Sequence, residues 1–238
     1  MKIKIVQDPD SVASEAARFI ADEARRAVEN HGSFVMAVSG GRTPWQMLQD
    51  LAREDLPWSA VHVVQVDERI APRGDPDRNL THLKESLLEQ APLPPEQIHR
   101  MPVESLDLGA ACAQYAHTLE RIAGSPPVLD LVHLGLGPDG HTGSLVPGDP
   151  VRNIKDADVA LTGTYQGRRR MTLTYPILNR SREILWLVTG SEKAEILARL
   201  VARDRSIPAG EVRDDHALLI ADRAAAGRID GDLKTKVA

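Results

Sequence analysis

The chain has 238 residues, of which 42% are hydrophobic and 26% charged. That is enough apolar material for a sizeable core, and the length fits a single α/β domain over residues 1–238. A net charge of −5 with only 3% aromatic residues argues against a general nucleic-acid or anionic-membrane binder and against base stacking on single strands, so any bound anion must be gripped by a few placed groups.

The first apolar run, at 2–6, reads as a strand. Its Lys2 and Lys4 make the N-terminus too charged, and it is too short, for a signal peptide. A helix is expected from Asp10 or Ser11 to about Asn30, because Val12, Ala16, Phe19, Ile20 and Ala27 recur at helical spacing and Gly32 follows as a stop. Further strands are expected at 34–38, 61–66, 129–134, 171–174, 184–188 and 217–220, with another at 159–161. Helical stretches fall at 44–52, 80–89, 108–122 and 192–201. The 108–122 helix carries Cys112, the single cysteine, which cannot form an internal disulfide and reads as a small apolar residue. The proline-rich pieces 91–95 and 124–127 read as loops, and the polar tail after Gly231 is expected to fray. Strands alternating with helices predict a mostly parallel sheet flanked by helices. No apolar run approaches the roughly 20 residues that span a bilayer, and the cytoplasm is the expected location.

Four unusual segments each directly follow an expected strand, and in open α/β sheets ligands bind just beyond the carboxyl ends of strands. The first is Ser39-Gly40-Gly41-Arg42-Thr43-Pro44. Thr43 suits an N-cap, Pro44 the first helical position, and Gln46 completes a capping box. The helix N-terminus, with glycines before it, suits phosphate. The segment lacks the spacing of a nucleotide loop and also fits a tight turn entering a helix. The second, Asp67-Glu68-Arg69, could orient sugar hydroxyls or move a proton, and equally fits a solvated loop or an internal salt bridge. The third, Gly135-Leu136-Gly137-Pro138-Asp139-Gly140-His141-Thr142-Gly143-Ser144, packs four glycines around one histidine. His141 suits acid–base work, and Asp139 could orient it or bind a hydroxyl. The fourth is Thr189-Gly190-Ser191-Glu192-Lys193. With Ser191 as N-cap, Lys193 lies in the first turn, a misfit with the helix dipole that a bound anion would explain. Arg170 precedes a strand within the run Arg168-Arg169-Arg170, whose first two members are expected to face solvent. No metal-binding cluster or serine-nucleophile elbow is evident.

In combination and order, Ser39–Pro44, Asp67-Glu68-Arg69, the Gly135–Ser144 loop and Lys193 resemble the 6-phosphogluconolactonases. Asn79-Leu80, Arg170-Met171-Thr172-Leu173-Thr174 and Ile207-Pro208-Ala209-Gly210 are similar too. The resemblance runs from Phe34 to about Ala226. It implies a Rossmann-like fold shared with glucosamine-6-phosphate deaminases, and hydrolysis of 6-phosphoglucono-δ-lactone in the pentose phosphate pathway without metal or organic cofactor. The small-molecule substrate, a phosphorylated sugar lactone, would be the only partner of a monomer or small homo-oligomer. By the same resemblance His141 matches the catalytic histidine and Asp67 an active-site acid. Arg69, Arg170 and Lys193 match positions near the phosphate, beside the Ser39, Gly40, Gly41, Arg42 and Thr43 loop, while Asp139 and Gly140 match the substrate side of the histidine loop. Gly143 and Val146 depart from the usual Gly-His-Thr-Ala-Ser-Leu-Phe-Pro pattern.

Two alternatives remain. A deaminase typically carries a glutamate before the proline that ends the histidine loop, where this chain has Val146, and an aromatic after Asp-Glu, where it has Arg69. A non-catalytic sugar-phosphate sensor would keep the phosphate grip without a proton-transfer group, whereas His141 and Asp67 are both present.

Overall fold

The computed structural model of the chain describes residues 1–229, so the polar tail after Gly231 lies outside the described residues. Seven strands form one parallel sheet: β1 (Lys2–Val6), β2 (Phe34–Val38), β3 (Val61–Gln65), β5 (Ile98–His99), β6 (Leu131–Gly135), β9 (Glu183–Val188) and β10 (Ala217–Asp222). Their spatial order is β1-β10-β9-β6-β2-β3-β5. Three short strands, β4 (Asp67–Arg69), β7 (Val159–Leu161) and β8 (Arg170–Leu173), form a separate antiparallel sheet in the order β4-β8-β7. The strands expected at 159–161 and 171–174 therefore do not join the parallel sheet. Two- and three-residue strands such as β5 and β4 carry too few residues to display a period, and neither is among the expected strands.

Alternation along the strands feeds two cores. On β2, Phe34, Met36 and Val38 face one core while Val35 and Ala37 face the other. Helix α1 (Pro9–His31) covers the first face with a stripe of Val12, Ala13, Ala16, Ala17, Ile20, Ala21, Ala24 and Ala27, mostly small side chains that let it lie close to α2 (Arg42–Leu51) and β10. Asp8 caps it by accepting from the Ser11 N–H at 2.8 Å, and Gly32 ends it at φ +86°. The other face is covered by α4 (Leu108–Ala123), α5 (Tyr175–Arg180) and α6 (Ala194–Val201). Beside α2, on the first face, α3 (Asn79–Leu83) widens into a further turn at Lys84–Leu88.

The order of strands places the site. From β2 the chain steps to β3 and β5 on one side, whereas β6, β9 and β10 extend the sheet on the other. Neighbouring β2 and β6 thus mark the switch point, where the segments leaving their carboxyl ends part and open a crevice. Ser39 follows β2, and the glycine-rich segment follows β6.

His133, on β6, is fully buried beneath this crevice, and its Nδ1 accepts from the Ser39 N–H at 3.3 Å. Burial pushes its imidazole down to about 3 from 6.5. Between those values the unfolded chain binds a proton that the folded chain refuses, so its contribution to stability is complete above about pH 6.5 and is lost as pH falls. Urea unfolding midpoints are expected to fall between about pH 6.5 and 4, with a shallower slope in His133→Gln. An unchanged slope in that variant would contradict the assignment.

Candidate active site

Strand alternation splits the Asp67-Glu68-Arg69 triplet. Asp67 and Arg69 line an open cleft of about 210 Å³ at the switch point. Glu68 points the other way and is fully buried. Its carboxylate accepts from Gln65 Nε2 at 2.9 Å and from the N–H groups of Arg69, Asn79 and Leu80 at 2.8 Å each. Buried Arg78 adds an ion pair at 3.4 Å. A carboxylate so supplied is a structural anchor. It holds the start of α3 against β4 and thereby brings Asn79 into the cleft wall.

Asn79 is engaged on both sides. Its Nδ2 donates to the Asp67 carbonyl at 2.9 Å and to Asp67 Oδ1 at 3.2 Å. Its Oδ1 presses on Gly40 where a Cβ would otherwise stand, which is why glycine is required there. Asp67 Oδ2 accepts from Ser144 Oγ at 2.5 Å, and Ser144 Oγ accepts from Arg170 Nη1 at 3.5 Å. Asp67 is thus a fixed carboxylate with both oxygens in use.

The register of the small sheet sets Arg69 directly opposite Arg170. Like charges across a ladder repel, and both Nε groups are buried without a partner. Burial lowers the pKa of Arg170, Arg69 lowers it further, and the Asp67 carboxylate opposes both. Half-buried Lys193 supplies a third cation, its ammonium lowered by burial against the opposing charges of Glu192 and Asp139. Three cations sharing one cleft, with a single carboxylate among them, form a place for an anion.

Lys193 is presented by the turn Ser191–Lys193 ahead of α6, and that turn is capped by Gly190, in place of the expected Ser191. Asp222 at the end of β10 fixes Gly190 by accepting its N–H at 3.1 Å. The expected Thr43 cap is also absent: α2 starts at Arg42 with Gly41 as its N-cap and no side-chain cap. The Thr43 hydroxyl instead meets the Thr189 hydroxyl at 2.8 Å and ties the two loops together, while Gln46 reaches Asp50. The uncapped start of α2 retains its attraction for an anion.

His141 lines the cleft beside Gly137, where any Cβ would collide with the imidazole. Asp139 stands behind the ring, and its Oδ1 accepts from His141 Nδ1–H at 2.5 Å. Burial raises the Asp139 pKa, yet the hydrogen bond and charge of His141, with help from Tyr165, outweigh this and hold its carboxyl below the usual value. With Nδ1 protonated and engaged, Nε2 carries the free lone pair of the neutral ring.

The cleft therefore gathers Ser39, Gly40, Asp67, Arg69, His141, Arg170 and Lys193 of the expected residues. Gly41, Arg42 and Thr43 are not among its lining residues, and Arg42 is exposed. Asp139 and Gly140 support His141 from outside the lining. The Gly140 carbonyl accepts from the Ala209 N–H at 2.9 Å, and Ile207 packs where a Gly140 Cβ would stand. Of the three consecutive arginines, Arg170 alone lines the cleft: Arg169 is exposed and Arg168 pairs with Asp75 and Asp77. Ser144 and Tyr165 were not singled out by sequence reasoning, and Asn79 entered only through the resemblance. Among the described residues no group of three or more His, Cys, Asp or Glu could hold a metal ion. A larger hollow of about 520 Å³, between Met1, Arg203 and Arg213, lies elsewhere, where Arg203 pairs with Asp214 and Arg213 with Asp215.

Fold and cleft together define an α/β protein that works on an anionic ligand at the carboxyl edge of a parallel sheet. The chain belongs to the family described as glucosamine-6-phosphate isomerases/6-phosphogluconolactonase, which matches residues 7–220. It is 34% identical over 241 residues to the 6-phosphogluconolactonase of Mycobacterium bovis, covering 95% of this chain and 98% of that one. It is 36% identical over 181 residues to the 6-phosphogluconolactonase of Synechocystis, covering 74% of this chain and 75% of that one. Among solved structures, the 6-phosphogluconolactonase from Thermotoga maritima superposes with a TM-score of 0.82 at 27% identity over 93% of this chain and 98% of that chain.

Removing the Glu68 anchor strands Gln65 Nε2 and three backbone donors, and takes from Arg78 one of its two carboxylates, leaving it Glu104 at 2.6 Å. Glu68→Ala is expected to cost about 3–5 kcal/mol, a fall of roughly 10 °C or more in Tm for a chain of this size. Glu68→Gln, which keeps one acceptor, costs less. Thermal unfolding checks this, and a wild-type Tm for Glu68→Ala would refute the anchoring role.

Proposed function

We propose that this chain hydrolyses 6-phospho-D-glucono-1,5-lactone to 6-phospho-D-gluconate, the second step of the oxidative pentose phosphate pathway. The observation that carries the reading is a histidine whose Nδ1 is held by a carboxylate while its ring lines the same cleft as three cations. Membership of the family and the names of its relatives support it.

The phosphoryl group is held among the cleft's cations, Arg69, Arg170 and Lys193, near the start of α2. That fixes the far end of the sugar beside His141 and uses binding energy for orientation. Neutral His141 Nε2 takes a proton from water as the water oxygen bonds to C1. Backbone N–H groups of the glycine-rich loop steady the developing oxyanion. The C1–ring-oxygen bond then breaks, and the imidazolium returns its proton to the departing oxygen. Asp139 stabilises the imidazolium without taking its proton, as a carboxylate held below the usual range should. Asp67, with both oxygens already accepting hydrogen bonds, aligns Arg170, Ser144 and substrate hydroxyls and moves no proton.

A lactone carbonyl is already electrophilic, and this route calls on no metal or organic cofactor. Position 146 favours the lactonase over a deaminase: Val146 is buried at 4% exposure, with no carboxylate to assist a ring-opened amino sugar. The single chain carries every group the route uses, which supports a monomer or small homo-oligomer. No described helix is long and apolar enough to cross a membrane. A cytoplasmic enzyme fits the lone half-buried thiol of Cys112, which burial makes harder to ionise.

The test follows disappearance of the lactone against its spontaneous hydrolysis. His141→Ala is expected to lower kcat by about 10²–10⁴-fold with little change in KM. Lys193→Ala should instead raise KM, by about tenfold or more for a lost charged contact. Near-normal turnover in His141→Ala, or release of ammonia from glucosamine 6-phosphate by the wild-type chain, would overturn the proposal.

A further inference from the structure

Behind the imidazole stands a third group. Tyr165 lies in the turn between β7 and β8, and its hydroxyl donates to Asp139 Oδ2 at 3.1 Å. The same oxygen lies 3.4 Å from His141 Nδ1, and the two rings meet edge to face with centroids 5.4 Å apart. Tyrosine, aspartate and histidine thus form a chain leading to the one nitrogen left free at the cleft.

The turn is built to aim this side chain. Tyr165 and Arg168 exchange both backbone hydrogen bonds, at 3.0 and 3.2 Å. The two residues between them, Gln166 and Gly167, have φ +50° and +78°, as a tight hairpin turn demands. Glutamine is an uncommon occupant of that conformation, and it persists only where the surroundings fix it. Here Gln166 Oε1 accepts from Arg170 Nη2 at 3.4 Å, and Arg168 clamps the turn to Asp75 and Asp77 at 3.0 Å each. The Arg170 guanidinium in turn lies 5.0 Å from the centre of the Tyr165 ring.

We infer that Tyr165 is a positioning residue for the proposed lactone hydrolysis: its hydroxyl locks the Asp139 carboxylate so that His141 keeps its proton on Nδ1 and its lone pair on Nε2. The need is physical. The Asp139 side chain is 35% exposed, and the terminal torsion of an aspartate is soft. Held by His141 alone, the carboxylate can swing toward water and free the ring to move its proton to Nε2, which would remove the base from the cleft. Tyr165 fixes the second oxygen and leaves one arrangement. Burial first, and then the hydrogen bond to Asp139 and its charge, raise the Tyr165 pKa, so the hydroxyl stays a donor.

This role rests on the lactonase reading, but one of its tests needs no substrate. Tyr165→Phe keeps the ring, its contact with His141 and its stacking on Arg170, and removes only the hydroxyl. In ligand-free protein, 15N NMR of the histidine side chains should show His141 as the Nδ1–H tautomer in wild type and as a mixture in Tyr165→Phe. With the phosphorylated lactone, Tyr165→Phe should lower kcat by about tenfold, part of the 10²–10⁴-fold that an acid–base group supplies, and leave KM within about twofold. Because Tyr165 acts through Asp139, adding Tyr165→Phe to Asp139→Asn should cost less than about a further twofold. A kcat near wild type, an unchanged tautomer, a rise in KM alone, or full additivity in the double variant would each overturn the role. Absence of lactonase turnover in the wild type would sink the functional reading instead, leaving the tautomer comparison to decide on Tyr165.

Discussion

A carboxylate sealed inside protein must be met by donors on every side or it destabilises whatever contains it. Glu68 is that carboxylate here, at 0% exposure, and the geometry of the cleft follows from meeting its demand. Its donors come from the end of β3, from β4 itself and from the start of α3, so the one carboxylate ties the strand it sits on to the helix that follows. Once they converge, strand alternation turns Asp67 and Arg69 to the opposite face. Asn79, gripped by its own backbone N–H, reaches Asp67 and closes on Gly40. The anchor faces away from the ligand and yet sets where the ligand-facing groups stand.

The parts of this arrangement legible in the sequence were those whose signal is local. The β2–loop–α2 unit was readable because apolar residues run straight into glycines and a helix start. His141 stood out because a histidine among four glycines needs a backbone folded tightly, and Gly137 shows why: the ring occupies the space of the missing side chain. Local reasoning failed where a distant partner outbid a neighbour. Thr43 had the right spacing for a capping box, but its hydroxyl meets Thr189, 146 residues away, and the helix starts two residues earlier than that cap implies. The role of Glu68 was invisible because only the three-residue strand β4 separates its face from that of Asp67. Tyr165 gave no signal because its neighbours in sequence form an ordinary polar turn, and its partners join it only when β7 and β8 pair beside β4.

An acidic chain that binds an anion must concentrate its positive charge, and the antiparallel sheet does this at a cost. Arg69 and Arg170 face each other across the ladder with buried Nε groups that lack partners. A doubly charged phosphoryl group, on the function proposed, relieves the repulsion between them. Strain of this kind favours the ligated state without adding any contact to it. It also explains the place of Asp67. One carboxylate near two guanidiniums offsets part of their repulsion, as its effect on Arg170 shows, and is too little to neutralise the site.

The cations of the cleft and its histidine are carried by different segments of the chain. On the proposed reading, cations borne by β4, β8 and the turn after β9 grip a phosphoryl group regardless of what the rest of the sugar undergoes. The chemistry depends on the few residues after β6 and on what stands behind them. In the deaminases that the sequence also resembles, a glutamate beside the histidine loop assists proton movement on an opened sugar. Here Val146 packs into the interior at that point, and the histidine is served instead by Asp139 and Tyr165 from the other side. A lactone asks for one proton to be taken from water and handed to the ring oxygen, a task for a single imidazole in a fixed tautomer. A buried valine at 146 removes a competing acid from that exchange, so an apolar side chain there is consistent with the simpler reaction.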